Sequence, residues 1–189
     1  MSEKLKSGYV SIVGRTNAGK STLLNNILGQ KIAITSRKPQ TTRHRFLGIK
    51  TDGNHQIIFV DTPGFHSGQK RALNRYMNKV AANAMRGVDI VLYVVDNLNW
   101  SSEDLERVQS ISQETSIILV INKTDKLNDK NLLLPFIEER NKDSIFSHIV
   151  PISALKGMGV EELVGLVHAK LPSGDHLYPE DQVTDISEK

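Results

Sequence analysis

The sequence predicts a doubly wound α/β fold, a mostly parallel sheet with one antiparallel edge strand and helices on both faces. Three observations predict it. Short apolar runs at residues 9–13, 89–96 and 116–121 alternate with stretches of helical period, the order that parallel strands joined by right-handed crossovers require. The last two runs are apolar at nearly every position, as strands covered on both faces are. The polar motifs follow directly after such runs, at the strand C-termini where an open α/β sheet carries its functional loops.

Taken in order, residues 9–13 (YVSIV) form a buried strand, and residues 14–22 (GRTNAGKST) follow it. That stretch fits a glycine, four residues, then Gly-Lys-Ser, with Gly14, Gly19, Lys20 and Ser21 at the fixed places. A helix over 21–28 is next, stopped by Gly29. Residues 30–45 are polar and basic, hold Pro39 and Thr41-Thr42, and lack a period; they read as a loop that orders when ligand is present. Strands over 46–50 and 56–60 flank the turn Asp52-Gly53-Asn54 and pair as a hairpin. Asp61-Thr62-Pro63-Gly64 comes after the second of these, then a helix over 72–85.

The strand at 89–96 leads to Ser101 and Asp104, spaced as a capping box that opens a helix. The strand at 116–121 leads into Asn122-Lys123-Thr124-Asp125. A helix over 132–140 and a short strand over 149–152 end at Ser153-Ala154, and an amphipathic helix over 160–170 is stopped by Pro172. From there the chain turns acidic and loses its period, so residues 1–172 form the predicted domain and 173–189 a linker, or the edge of something further.

A chain of 189 residues with 39% hydrophobic content suits one globular domain with a real core. Without cysteine it can hold neither disulfide nor thiolate metal site. Its longest apolar runs are too short to span a bilayer, and Lys4 and Lys6 precede an apolar run that breaks at Gly14-Arg15, which is no secretion signal; a cytoplasmic protein is the expectation. Residues 1–51 carry ten Lys or Arg against Glu3 alone, whereas the remainder balances at −6. A basic end of this kind suits a polyphosphate, and its surplus beyond Lys20 suits nucleic acid, with an ordinary solvated surface as the plainer alternative.

The chemistry of the loops agrees. Glycines let a chain wrap a phosphate closely, so that successive amide N–H groups of Thr16, Asn17, Ala18, Gly19, Lys20, Ser21 and Thr22 can point at an anion. Lys20 adds charge for the outer phosphates, and the Ser21 hydroxyl can complete a Mg²⁺ shell. A bare glycine-rich turn is the alternative, and the strand before and helix after argue against it. Asp61 can hold Mg²⁺ through water, and Gly64 can offer its N–H to a terminal phosphate. Asn122, Lys123 and Asp125 concern the base: a carboxylate accepts two hydrogen bonds from the N–H and NH₂ edge of guanine, and adenine has no such donor pair. Asp125 therefore selects GTP or GDP, the Lys123 stem lies along the base, and Asn122 ties loops together. Ser153, Ala154 and Leu155 supply a further backbone contact to the guanine oxygen.

The set GRTNAGKS, QTTR, DTPG, NKTD and SA is similar to the guanine-nucleotide motifs of the translation-factor-related GTPases. SRKPQTTRHR, NKTDK and LYPEDQVTD resemble the Era family of bacterial GTPases, over essentially the whole chain. The resemblance implies a Ras-like P-loop GTPase that hydrolyses GTP with Mg²⁺ held by Ser21, Thr42 (or Thr41) and Asp61, with Lys20, Thr42 and Gly64 serving catalysis. It implies a potassium ion beside the phosphates through Asn17, a plain surface-loop asparagine being the alternative. Thr16 and Ala18 depart from the proline and valine usual in the family, at positions that need supply no side chain to phosphate. Where Ras-like proteins place a water-orienting glutamine, this chain has Phe65, which has no hydrogen-bonding group, so slow intrinsic hydrolysis is expected. His66, Arg43 and Arg45 are the weaker candidates to compensate.

The family further implies a switch in assembly of the small ribosomal subunit, a partner met mainly through an RNA-binding KH domain that follows the YPED stretch and that this chain lacks. It also implies a monomer, with weak peripheral membrane association at most. The G domain of a related tRNA-modifying or iron-transport GTPase, or a nucleotide-dependent interaction module that scarcely hydrolyses GTP, are the rival readings.

Overall fold

A computed structural model describes residues 4–29, 46–60, 87–111 and 113–182. A six-stranded sheet has the order β2-β3-β1-β4-β5-β6, built from β1 (Lys6–Gly14), β2 (Phe46–Asp52), β3 (His55–Val60), β4 (Ile90–Asp96), β5 (Ser116–Asn122) and β6 (His148–Pro151). Every pairing is parallel except that of the edge strand β2 with β3. The described helices are α1 (Lys20–Leu28), α2 (Ser102–Gln109), α3 (Leu133–Asn141) and α4 (Val160–Lys170). The doubly wound fold with one antiparallel edge strand is thus the one that the alternation of runs predicts. The expected helix at 72–85 and loop at 30–45 lie outside the described residues.

Alternation along the central strands feeds a core on each face of the sheet. Ile90, Leu92 and Val94 of β4 and Ile118 and Val120 of β5 pack with Leu23, Leu24 and Ile27 of α1 and Leu163 and Val167 of α4. Val91, Tyr93 and Val95, with Ile117, Leu119 and Ile121, face the other way onto Val108 of α2 and Phe136 and Ile137 of α3. Burial on both faces explains why these runs read as unbroken apolar stretches.

Boundaries move for local reasons. β1 begins at Lys6 rather than residue 9 because Lys6, Ser7 and Gly8 pair with His55, Gln56 and Ile57 of β3; at Gly8 a Cβ would stand 2.8 Å from Asp89 Oδ2, the oxygen that accepts from the Tyr9 N–H. Asp89 itself stays outside β4. In the hairpin Asp52 still pairs with His55, so the loop is Gly53-Asn54, with Gly53 at φ 53°. A 3₁₀ turn (Lys130–Leu132) precedes α3 and shifts its start by one residue.

The acidic stretch after α4 is hydrogen-bonded to the sheet as far as Tyr178. Ser173 bridges Lys6, the Gly174 N–H donates to the Leu5 carbonyl, and the Ser7 hydroxyl donates to the Asp175 carbonyl at 2.7 Å. Gln56 of β3, fully buried, accepts from the Leu177 and Tyr178 N–H groups and donates to the Tyr178 carbonyl and Thr51 hydroxyl. All of these contacts lie at the strand N-termini, the end of the sheet opposite the polar motifs.

Candidate functional site

β1 passes into the glycine loop, and α1 begins on its last residues. Gly14 (φ 144°) crosses β4 so closely that a Cβ would stand 2.1 Å from the Val94 carbonyl oxygen, and at Gly19 (φ 97°) a Cβ would stand 2.2 Å from Asn122 Nδ2. Only glycine fits either place. Asn17 adopts φ 63°, left-handed backbone that asparagine tolerates better than most residues. α1 begins after its N-cap Gly19 with no side-chain cap hydrogen bond and no acidic residue in its first turn, so the helix itself supplies nothing to neutralise the positive end of its dipole. Lys20 bends back into the loop, where its ammonium donates to the Gly14 and Arg15 carbonyls at 2.8 and 2.6 Å. Burial desolvates that ammonium and lowers its pKa, a penalty that a polyanion in the loop would relieve.

The end of β5 supplies the opposite wall. Asn122 is 2% exposed; its Nδ2 donates to the Ala18 carbonyl at 2.8 Å while its Oδ1 accepts from the Ala154 N–H at 2.9 Å. One amide thus joins the glycine loop to the loop after β6. Lys123, at φ 63°, reaches the Asn17 carbonyl with its ammonium and lies 3.6 Å from Asp96. Asp125 accepts a 2.7 Å hydrogen bond from the Ser153 hydroxyl. That bond is the main reason its pKa falls below the usual carboxylate value, so Asp125 is an ionised acceptor at neutral pH.

Thr124 secures this loop through two bonds to the Ile152 carbonyl, one from its N–H at 3.1 Å and one from its hydroxyl at 2.9 Å. Ser153 exchanges backbone bonds with Met158, closing a tight turn between β6 and α4. Ala154 is buried and its carbonyl accepts from Asn26 Nδ2 of α1 at 3.1 Å. The Leu155 side chain is 74% exposed, which leaves its backbone as its contribution.

The loop residues Thr16 to Thr22, the group Asn122, Lys123 and Asp125, and the pair Ser153 and Ala154 come together at the C-terminal edge of the sheet. Thr41, Thr42, Arg43, Arg45, Asp61, Gly64, Phe65 and His66 lie outside the described residues. Asn26, Arg15 and Asp104 were not among the predicted site residues. The Ser101-x-x-Asp104 spacing was legible as a cap, but nothing in it points to the glycine loop, and Asn26 looks like any polar residue of α1.

A family model described as a 50S ribosome-binding GTPase matches residues 9–123, which run from β1 through Lys123 and so include the glycine loop. The chain belongs to that GTPase family. GTPase Era of Pseudomonas syringae pv. tomato is 55% identical over 187 residues, 97% of this chain and 62% of that protein. Among solved structures, Era in complex with MgGDPNP and nucleotides 1506–1542 of 16S ribosomal RNA is 44% identical with a TM-score of 0.80, over 97% of this chain and 63% of that one. A variant of Aquifex aeolicus Era bound to GDP and AlF₄⁻ is 43% identical, with the same TM-score and coverage. The resemblance to Era seen in the sequence motifs therefore extends over nearly the whole GTPase chain, which spans about 62% of the length of the curated relatives it matches.

Proposed function

We propose that this chain is the guanine-nucleotide-binding part of a GTP-driven switch that acts in assembly of the small ribosomal subunit. One observation carries the nucleotide part: the buried Asn122 amide holds the phosphate loop and the Ala154 loop on a single frame. A base reader and a phosphate cradle built on one side chain bind a nucleotide as a unit. Thr16 to Thr22 surround the phosphates, with Lys20 released from the Gly14 and Arg15 carbonyls to meet them. Asp125 accepts from the guanine N–H and NH₂, Lys123 lies along the base, and Ser153, Ala154 and Leu155 face the guanine oxygen.

Mg²⁺ suits the donor set: a helix-start hydroxyl at Ser21 with Thr42 and Asp61, all hard oxygen ligands. Bound there it would neutralise charge on the phosphates, while Gly64 offers an N–H to the terminal phosphate and Lys20 a fixed cation. Potassium beside the phosphates through Asn17 is part of the same reading. Phe65 after Gly64 leaves water orientation to other groups, so intrinsic hydrolysis is slow.

The ribosomal part is supported by likeness to Era, one relative of which is solved with 16S ribosomal RNA. RNA contact falls mainly to the region that Era proteins carry beyond the matched span. The protein acts as a cytoplasmic monomer, and membrane contact is at most peripheral. The described residues contain no helix long and apolar enough to cross a membrane.

The test is pelleting with small ribosomal subunits, in GDP and in a non-hydrolysable GTP analogue, alongside a chimaera extended by the C-terminal region of a Pseudomonas Era. Binding by the extended form, stronger with the analogue, is expected. No binding in either nucleotide state would remove the ribosomal role and leave the nucleotide site to be judged by its own affinity.

A further inference from the structure

We propose that Arg15 and Asp104 form a latch that positions the phosphate loop from outside, tying it to the start of α2 and slowing release of a bound guanine nucleotide. The inference rests on the nucleotide-site reading above. Arg15 stands in the glycine loop, and its side chain reaches out to the start of α2. Its guanidinium meets both Asp104 carboxylate oxygens, at 3.2 Å from Nε to Oδ1 and more closely from Nη2 to Oδ2, and also reaches the Ser101 hydroxyl. Asp104 is fully buried.

Asp104 is itself immobilised. Its Oδ1 accepts from the Tyr93 hydroxyl of β4 at 2.9 Å, and its Oδ2 accepts from the N–H and hydroxyl of Ser101 at 2.9 and 3.0 Å. Burial, and then the charge of Asp104, push the Tyr93 hydroxyl far above its usual pKa, so it remains a donor at any working pH. The carboxylate that caps α2 is therefore also the fixed point for a phosphate-loop residue far from it in sequence. A planar guanidinium on a buried carboxylate allows essentially one orientation.

What the latch fixes is the Arg15 backbone. The Arg15 carbonyl is one of the two that hold the Lys20 ammonium until phosphates replace them, and Gly14 next to it stays wedged against Val94. With its side chain pinned to α2 and its predecessor pinned to β4, the first turn of the loop has no freedom to swing. Preorganisation of this kind slows ligand escape, because the loop must break the pair before it can open.

The experiment measures release of a fluorescent guanine diphosphate, chased by excess GDP, from wild type, Arg15→Met, Arg15→Lys, Asp104→Asn and the Arg15→Met/Asp104→Asn double variant. Thermal midpoints without nucleotide are recorded for each. Arg15→Met and Asp104→Asn should each speed release roughly tenfold, the size of a coupling of about 1.4 kcal/mol between groups of one network. The double variant should be little faster than either single, and Arg15→Lys should recover part of the loss.

Unchanged release in Arg15→Met, even with a lowered thermal midpoint, would reduce the pair to scaffolding and overturn the latch. So would single effects that multiply in the double variant. If wild type fails to bind the probe at all, the nucleotide reading falls first and the latch with it.

Discussion

Replacing Asn122 by alanine is the sharpest test of how the site is assembled. The amide is 2% exposed and serves partners that are themselves buried, the Ala18 carbonyl and the Ala154 N–H. Truncation leaves one acceptor and one donor unpaired where water has little access. Each such group costs about 1–3 kcal/mol, so the loss is roughly 2–6 kcal/mol. Against a domain stability of about 5–15 kcal/mol that is a large fraction. Asn122→Asp is the harsher change despite its matching shape: one oxygen still accepts from Ala154, but the other faces the Ala18 carbonyl, acceptor against acceptor, with a buried charge between.

Denaturant unfolding followed by circular dichroism gives the stability, and titration with a fluorescent guanine diphosphate gives the affinity. Both should fall in Asn122→Ala and fall further in Asn122→Asp. A loss under about 0.5 kcal/mol in Asn122→Ala, with wild-type affinity, would refute the reasoning, since an unneeded amide leaves nothing unpaired when removed.

Asp125→Asn should move preference from guanosine toward xanthosine nucleotides, because an amide NH₂ now donates where the carboxylate accepted; a competition assay that still favours GDP over XDP would remove Asp125 from base reading. Lys20→Ala should weaken diphosphate binding by about 3 kcal/mol, or more than a hundredfold. Burial lowers the free Lys20 pKa and a bound polyphosphate would raise it, so wild-type affinity is full below the free pKa and declines as pH rises above it, while Lys20→Ala should show no such alkaline decline. Gln56→Leu, at a fully buried side chain with four hydrogen bonds, should cost roughly 2–4 kcal/mol and make residues 173–182 a site of early proteolysis; unchanged digestion would show that the stretch is held by other contacts. Exchanging K⁺ for Na⁺ should slow GTP turnover if Asn17 holds potassium, and equal rates reject that role.

The sequence by itself determined the fold class and placed the glycine loop, the loop after β5 and the loop after β6 at the C-terminal ends of their strands. Gly14 and Gly19 are legible because the glycine loop needs backbone that other residues cannot adopt, and a purely local constraint leaves its mark on local residue choice. The runs at β4 and β5 are legible because burial on both faces leaves no polar position, and the order of strands and helices then permits few topologies. Tertiary structure alone decided which polar side chains meet across the sheet. Asn122 joins Ala18 to Ala154, Arg15 joins the glycine loop to the cap of α2, and Gln56 holds Leu177 and Tyr178. Each of these partners is far away in the chain, and a single Asn, Arg or Gln has no period or spacing that names its partner. The acidic stretch after Pro172 shows the same limit. Its residues read as a linker because they bury few apolar groups, and its fixed place comes from backbone bonds to β1 and from one amide in β3, which composition does not record.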